Sequence, residues 1–179
     1  MSNLIISIVN TMIEYQKINN IKEECITNIQ ILYDFIRATN PTLDVKIKAV
    51  IVGAIDNNIT CCVKGHLVLD IGNEKVIDPS YEVSKFKNSY YFVNIKNYIK
   101  FLKNNYTAKE QIEIFDACGG LNTIIQDHIT FMNFANEMNN NNFVTNPEYY
   151  NNLCNYIQEK HKHQLILFTD REMKMFLKK

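Results

Sequence analysis

Apolar residues recur at helical intervals from the start of the chain. Leu4, Ile5, Ile8, Met12 and Tyr15 mark one face of an amphipathic helix over Leu4–Tyr15. The stretch from Gln16 to Glu24 is polar and reads as a loop. From Cys25 the 3.6-residue period returns, with Ile26, Ile29, Leu32, Tyr33 and Ile36 on one stripe. Asn40-Pro41 ends this second helix near Arg37 or Ala38, because a residue before proline avoids the helical region. The pattern then changes. Val45–Ala54, Ile59–Val63 and Leu67–Ile71 are short runs rich in Val and Ile, with Asn57-Asn58 and Gly72-Asn73 as turn candidates. Val76-Ile77 is a brief strand closed by Asp78-Pro79-Ser80. Helical patterning resumes over Ile95–Asn104, Lys109–Phe115, Leu121–Met138 and Pro147–Lys160. Asn139–Asn142 reads as a loop, and Leu165–Phe168 as a strand or a buried helical turn.

A central helix followed by a block of strands predicts an α+β fold with an antiparallel sheet, not alternating βαβ units. At 179 residues the simplest organisation is one domain. Its core would lie in residues 1–90, with residues 91–179 as a helical extension packed on it.

Composition narrows the function by exclusion. Nineteen basic and nineteen acidic residues cancel, which is not the basic footprint of a nucleic-acid binder. The Lys174, Lys178, Lys179 end reads as a solvated helix end. No apolar stretch approaches the ~20 residues of a membrane span, and the first residues lack the basic segment and small-residue cleavage site of a secretory signal. The abundance of Asn, Ile and Lys is the bias of an AT-rich genome, as in giant viruses, certain protists or low-GC bacteria. The five cysteines contain no CxxC pair, which argues against a zinc site and for a reducing, cytoplasm-like compartment (the host cytoplasm if the source is viral). Neither a metal nor an organic cofactor is expected. Cys61, Cys62 and His66 lack a fourth ligand. His161 and His163 lie in a polar, Lys-flanked segment and read as solvated; His128 reads as a surface or half-buried residue, and Gly119-Gly120 as a helix break.

One set of residues carries chemistry. A thiol nucleophile is favoured at a helix N-terminus, needs a histidine as base, and needs a carboxylate or amide to orient that histidine. Among the five cysteines only Cys25 opens a helix. His66 begins one predicted strand and Asp78 follows another, so a Gly72-Asn73 hairpin brings the two together across it. Asp70 is the rival partner. It lies four residues from His66 on one strand, about 13 Å away at 3.3 Å per residue, and is rejected on distance. Glu23 and Glu24 precede Cys25 and oppose a thiolate unless they turn away from it. An oxyanion donor is also required. The backbone N–H of Cys25 is one; Gln16 and Asn20, in the polar segment upstream, are weaker candidates for a second.

These segments resemble a known family. C-I-T-N-I-Q-I-L-Y-D-F-I-R-A, from Cys25 to Ala38, looks like the nucleophile helix of the transglutaminase-like (papain-like) cysteine enzymes, which often ends in Arg-Ala. K-I-K-A-V-I-V-G, Lys46 to Gly53, resembles the family's first core strand. G-H-L-V-L-D-I-G-N-E-K-V-I-D-P-S, Gly65 to Ser80, resembles its succession of histidine, strand, turn, strand and Asp-Pro-Ser/Thr. The resemblance spans about Lys22 to Glu82. It implies a papain-like core with Cys25 as nucleophile, His66 as base and acid, and Asp78 orienting the imidazole. The implied activity is thiol-dependent hydrolysis of an amide, peptide or isopeptide, in a protein or peptide substrate. Transfer of the acyl group to an amine, and a binding scaffold that keeps the fold without turnover, stay open beside it.

Overall fold

The computed structural model describes residues 3–56, 59–72, 75–140 and 146–165; the side chains of 54–64 and 163–165 also lie outside the description. Seven helices and four strands follow one another among these residues. Helix α1 is Asn3–Ile18, α2 Cys25–Thr39, strand β1 Lys46–Asp56, β2 Ile59–Asp70, β3 Val76–Ile77, α3 Tyr81–Ser84 and β4 Asn88–Phe92. The remainder is helical: α4 Ile95–Asn105, α5 Ala108–Ala117, α6 Leu121–Asn139 and α7 Pro147–Leu165. The fold class is α+β, mostly helical, with the strands in one antiparallel sheet of order β3-β2-β1-β4.

Several elements depart from the sequence reading, among them the one-turn helix α3, which it did not include, and α7, which runs past the expected Lys160 to Leu165. Helix α1 runs one turn further than its apolar period, so Gln16 lies in a helix and is buried rather than in a polar loop. Residues 59–63 and 67–71 join into one long strand. It survives Lys64-Gly65 because the ladder absorbs an irregularity between Val50 and Val52 of β1. Strand β4 had no counterpart in the sequence reading; its Asn88-Ser89 start breaks the apolar period. The Asn57-Asn58 turn, the run beyond residue 165, and the side chains of Cys61, Cys62 and His163 lie outside the described residues.

The main core is shared by both halves of the chain. Ile8 and Met12 of α1, with Ile29, Leu32 and Phe35 of α2, meet Leu67 and Leu69 of β2, Ala135 and Met138 of α6, and Tyr150 and Leu153 of α7. Helix α6 packs across β1 and β2. Its Phe131 ring lies against Gly65, where a Cβ would sit 2.3 Å from Cδ2 of the ring, so only glycine lets that helix approach the strand. A smaller cluster of Val50, Val52, Val68 and Val83 lies apart from this core, with Val76 and Tyr91 packed against it.

Candidate active site

Helix α2 starts at Cys25 with Glu24 as its N-cap residue, and Glu24 makes no side-chain bond to the helix backbone. Its carboxylate accepts instead from Thr27 Oγ1 at 2.8 Å and from Asn146 Nδ2 at 2.5 Å. The acid that precedes the thiol is therefore tied down by two neutral donors. Cys25 is buried, with 8% of its surface exposed, and is not in a disulfide.

His66 stands on β2 and is 2% exposed. Strand β3 pairs with β2 through Leu69–Ile77 and Asp70–Val76. Continuing that register puts Asp78 opposite Val68, diagonal to His66 and on the same face. The sequence reading had the two facing each other directly; diagonal neighbours in a sheet lie about 7–8 Å apart at the backbone, a gap an imidazole and a carboxyl group can close. His66 Nε2 lies 2.9 Å from Asp78 Oδ2. A carboxylate only accepts, so Nε2 carries the proton. The Cys25 thiol is within hydrogen-bonding reach of the same ring, and Nδ1 is the nitrogen left for it. Cys25, His66 and Asp78 thus come together in that order. Asp70 does not join them: it pairs with Lys48 and accepts from the Gly72 N–H at 2.8 Å.

Two opposing effects act on the imidazole. Burial alone would push its proton affinity down. The charge and hydrogen bond of Asp78, with a smaller contribution from Cys25, outweigh burial and raise the His66 pKa to about 10. Held between Asp78 and Cys25, the ring keeps its proton more tightly than a free imidazole does.

Asp78 is held by three donors: His66 Nε2 and Tyr91 Oη at 3.0 Å on Oδ2, and the Ser80 N–H at 3.0 Å on Oδ1. Tyr91 was not visible as a site residue in the sequence. The only signal was a tyrosine in the segment after the Asp-Pro-Ser turn, and no spacing rule ties it to Asp78. Burial, and then the Asp78 charge, push its phenol well above the ordinary range, so it stays a donor.

The two weaker oxyanion candidates are placed elsewhere. Gln16 Nε2 donates to Met12 O at 3.0 Å and Pro79 O at 2.6 Å, while Oε1 accepts from Asn28 Nδ2 at 3.1 Å and the Tyr81 N–H at 3.0 Å. Both of its protons are used, so it has none to offer an oxyanion. Asn20 lies beyond the end of α1, exposed, in a left-handed conformation at φ 50°. The histidines outside the site also differ from the sequence reading. His161 is not solvated: it is buried, with Nε2 2.8 Å from Thr11 Oγ1, because α7 packs along α1. His128 is buried too, and its Nε2 is 3.2 Å from Val93 O.

Among the described residues, no group of three or more His, Cys, Asp or Glu is placed to share a metal ion, and no helix is long and apolar enough to cross a membrane. No protein-family model matches this sequence, and neither a curated protein nor a solved structure shows significant similarity to it.

Proposed function

We propose that this chain is a thiol-dependent hydrolase of amide bonds, built on a transglutaminase-like or papain-like core. The observation that supports this reading is the position of the His66 ring, with Nε2 on Asp78 and the Cys25 thiol in reach of its other side. A histidine so oriented by a carboxylate, next to a thiol at a helix N-terminus, is the arrangement that activates a cysteine nucleophile.

In this reading the Cys25 thiolate attacks the carbonyl carbon of the scissile amide, forming a C–S bond and an oxyanion. Backbone N–H groups at the start of α2 point toward developing negative charge, since the first turn of a helix leaves its N–H groups without helical partners. The C–N bond breaks as His66 gives its Nδ1 proton to the departing amine. Water then attacks the thioester while His66 takes one of its protons. The C–S bond breaks, the acid leaves, and the thiolate–imidazolium pair returns. Asp78 keeps its charge throughout and holds the ring.

The test is a library of peptides and isopeptides incubated with the protein and with Cys25→Ala, read by mass spectrometry, with a primary amine present to trap acyl transfer. Hydrolysed products from the wild type, absent with Cys25→Ala, are the expected result. Amine adducts in their place would make the chain a transferase. Turnover by Cys25→Ala at the wild-type rate would remove Cys25 as nucleophile. No turnover, together with a Cys25 thiol no more reactive than free cysteine at pH 6, would leave a binding scaffold.

A further inference from the structure

We infer that Gln16 and Asn28 form a positioning clamp, which sets the helix carrying Cys25 against the loop carrying Asp78. The inference rests on the catalytic reading above and adds two residues to it. Asn28 lies three residues after Cys25, one turn along α2 and on the same side of the helix. Gln16, in the last turn of α1, bonds it on one side. On the other it bonds Pro79 O and the Tyr81 N–H, which bracket the segment just after Asp78. The link continues outward, because Tyr149 Oη on α7 donates to Asn28 Oδ1 at 2.7 Å.

The direction of every bond in this chain is forced. Pro79 and Met12 present carbonyls, which only accept; Tyr81 presents an N–H, which only donates. Gln16 therefore has one permitted orientation, with its amide nitrogen toward the carbonyls. Its Oε1 must then take the Asn28 amide proton, so Asn28 Oδ1 faces Tyr149 and accepts from it. Gln16 and Asn28 are 2% and 1% exposed, and Gln16 uses both protons and both lone-pair directions of its carboxamide. A buried network satisfied in only one arrangement fixes geometry more than it adds stability. Here the geometry it fixes is the separation between the Cys25 helix and the Asp78 loop.

Gln16→Met keeps the length of the side chain and removes all four bonds. Asn28→Asp keeps the acceptor for Tyr149 and removes the donor to Gln16. Tyr149→Phe removes only the outermost bond and serves if the others do not fold. Thr11→Val is the matched control: it lies on the same helix, is buried, and loses a different polar contact, to His161. Two readouts apply to each variant, the rate of Cys25 carboxamidomethylation by iodoacetamide at pH 6 and the NMR titration of the His66 ring.

The clamp predicts that Gln16→Met and Asn28→Asp slow Cys25 alkylation by about tenfold or more, since small misplacements of reacting groups are costly. They also move the His66 titration, Tyr149→Phe moves it less in the same direction, and Thr11→Val moves neither readout. Wild-type behaviour of both readouts in the clamp variants would overturn the clamp, as would an equal effect of Thr11→Val. If wild-type Cys25 proves no more reactive than free cysteine, the catalytic reading fails alone, and the His66 titration still decides the clamp.

Discussion

Tyr91 and Asp78 come from opposite edges of the sheet, yet the phenol oxygen lies 3.0 Å from the carboxylate. Tyr91 is on β4, and Asp78 directly follows β3. Three strand spacings of about 4.8 Å separate those edges in a flat sheet, roughly 14 Å, more than a tyrosine can span. The sheet must curl toward this face to bring them together, and the Val50, Val52, Val68 and Val83 cluster lies against Tyr91 there. Both donors on Asp78 Oδ2 compete for the same charge.

Tyr91→Phe removes one of those donors and leaves more of the Asp78 charge to His66. The expected outcome is a rise in the His66 pKa, measured by NMR titration of the ring. The variant also loses about 1.5–3 kcal/mol of stability, the usual value of a hydrogen bond to a charged group. A His66 pKa that stays put or falls would show that Tyr91 does not share the carboxylate.

The raised His66 pKa fixes the sign of a pH effect on stability. A group that binds its proton more tightly when folded contributes fully below its unfolded pKa of about 6.5, and that contribution is lost as pH rises through about 10. Urea denaturation between those values should therefore show falling stability. Asp78→Asn removes the largest raising influence on the ring and should flatten the slope. An equal slope in both proteins would assign it to other groups.

Cysteine reactivity orders the described thiols. Cys25 opens helix α2 and lies beside the His66 ring, the placement that the proposed function assigns to the nucleophile. Burial, and then the Asp34 charge, push Cys154 up to about 12, so it stays protonated. Limited iodoacetamide at pH 6, followed by peptide mapping, is expected to label Cys25 before Cys154 and Cys118. Labelling of either of those first, with Cys25 untouched, would count against an activated thiol.

Asp78→Asn separates orientation from nucleophilic attack. An Asn oxygen still accepts from His66 Nε2 and Tyr91, but its amide nitrogen then faces the Ser80 N–H, and that bond is lost. With a turned-over substrate in hand, the expected loss in kcat/KM is partial, about 10- to 100-fold, the range found when a partner orienting a metal-bound histidine is removed. Cys25→Ala should lose nearly everything. Equal losses in the two variants would mean that the charge of Asp78, and not its geometry, is what His66 requires.

Gly65→Ala places a methyl group 2.3 Å from Cδ2 of the Phe131 ring, far inside van der Waals contact. Overpacking of this kind costs about 1–3 kcal/mol, and Phe131→Ala in the same chain should recover part of it. Thermal unfolding of the single and double variants checks this. Because Gly65 adjoins His66, the single variant should also move the His66 ring resonances; an unshifted ring would show that α6 can move away from β2 without disturbing the site.

The sequence by itself indicated most of the helices and strands and the meeting of His66 with Asp78, because each is signalled locally. A 3.6-residue period marks α2 from its first turn, and Cys25 is the residue that opens it. Two short apolar runs close in sequence put His66 on β2 and Asp78 directly after β3, twelve residues apart, and the pairing of those strands brings them together. Everything that depends on elements distant in the chain was decided only by the tertiary structure. Gln16 looked like a loop amide because its environment comes from Asn28, Pro79 and Tyr81, on other elements. His161 looked solvated among its polar neighbours because its partner, Thr11, is 150 residues away. Tyr91 reaches Asp78 only because the sheet curls. Periodicity reports which face of an element is apolar; which polar side chain meets which depends on how the elements are stacked, and no local pattern contains that.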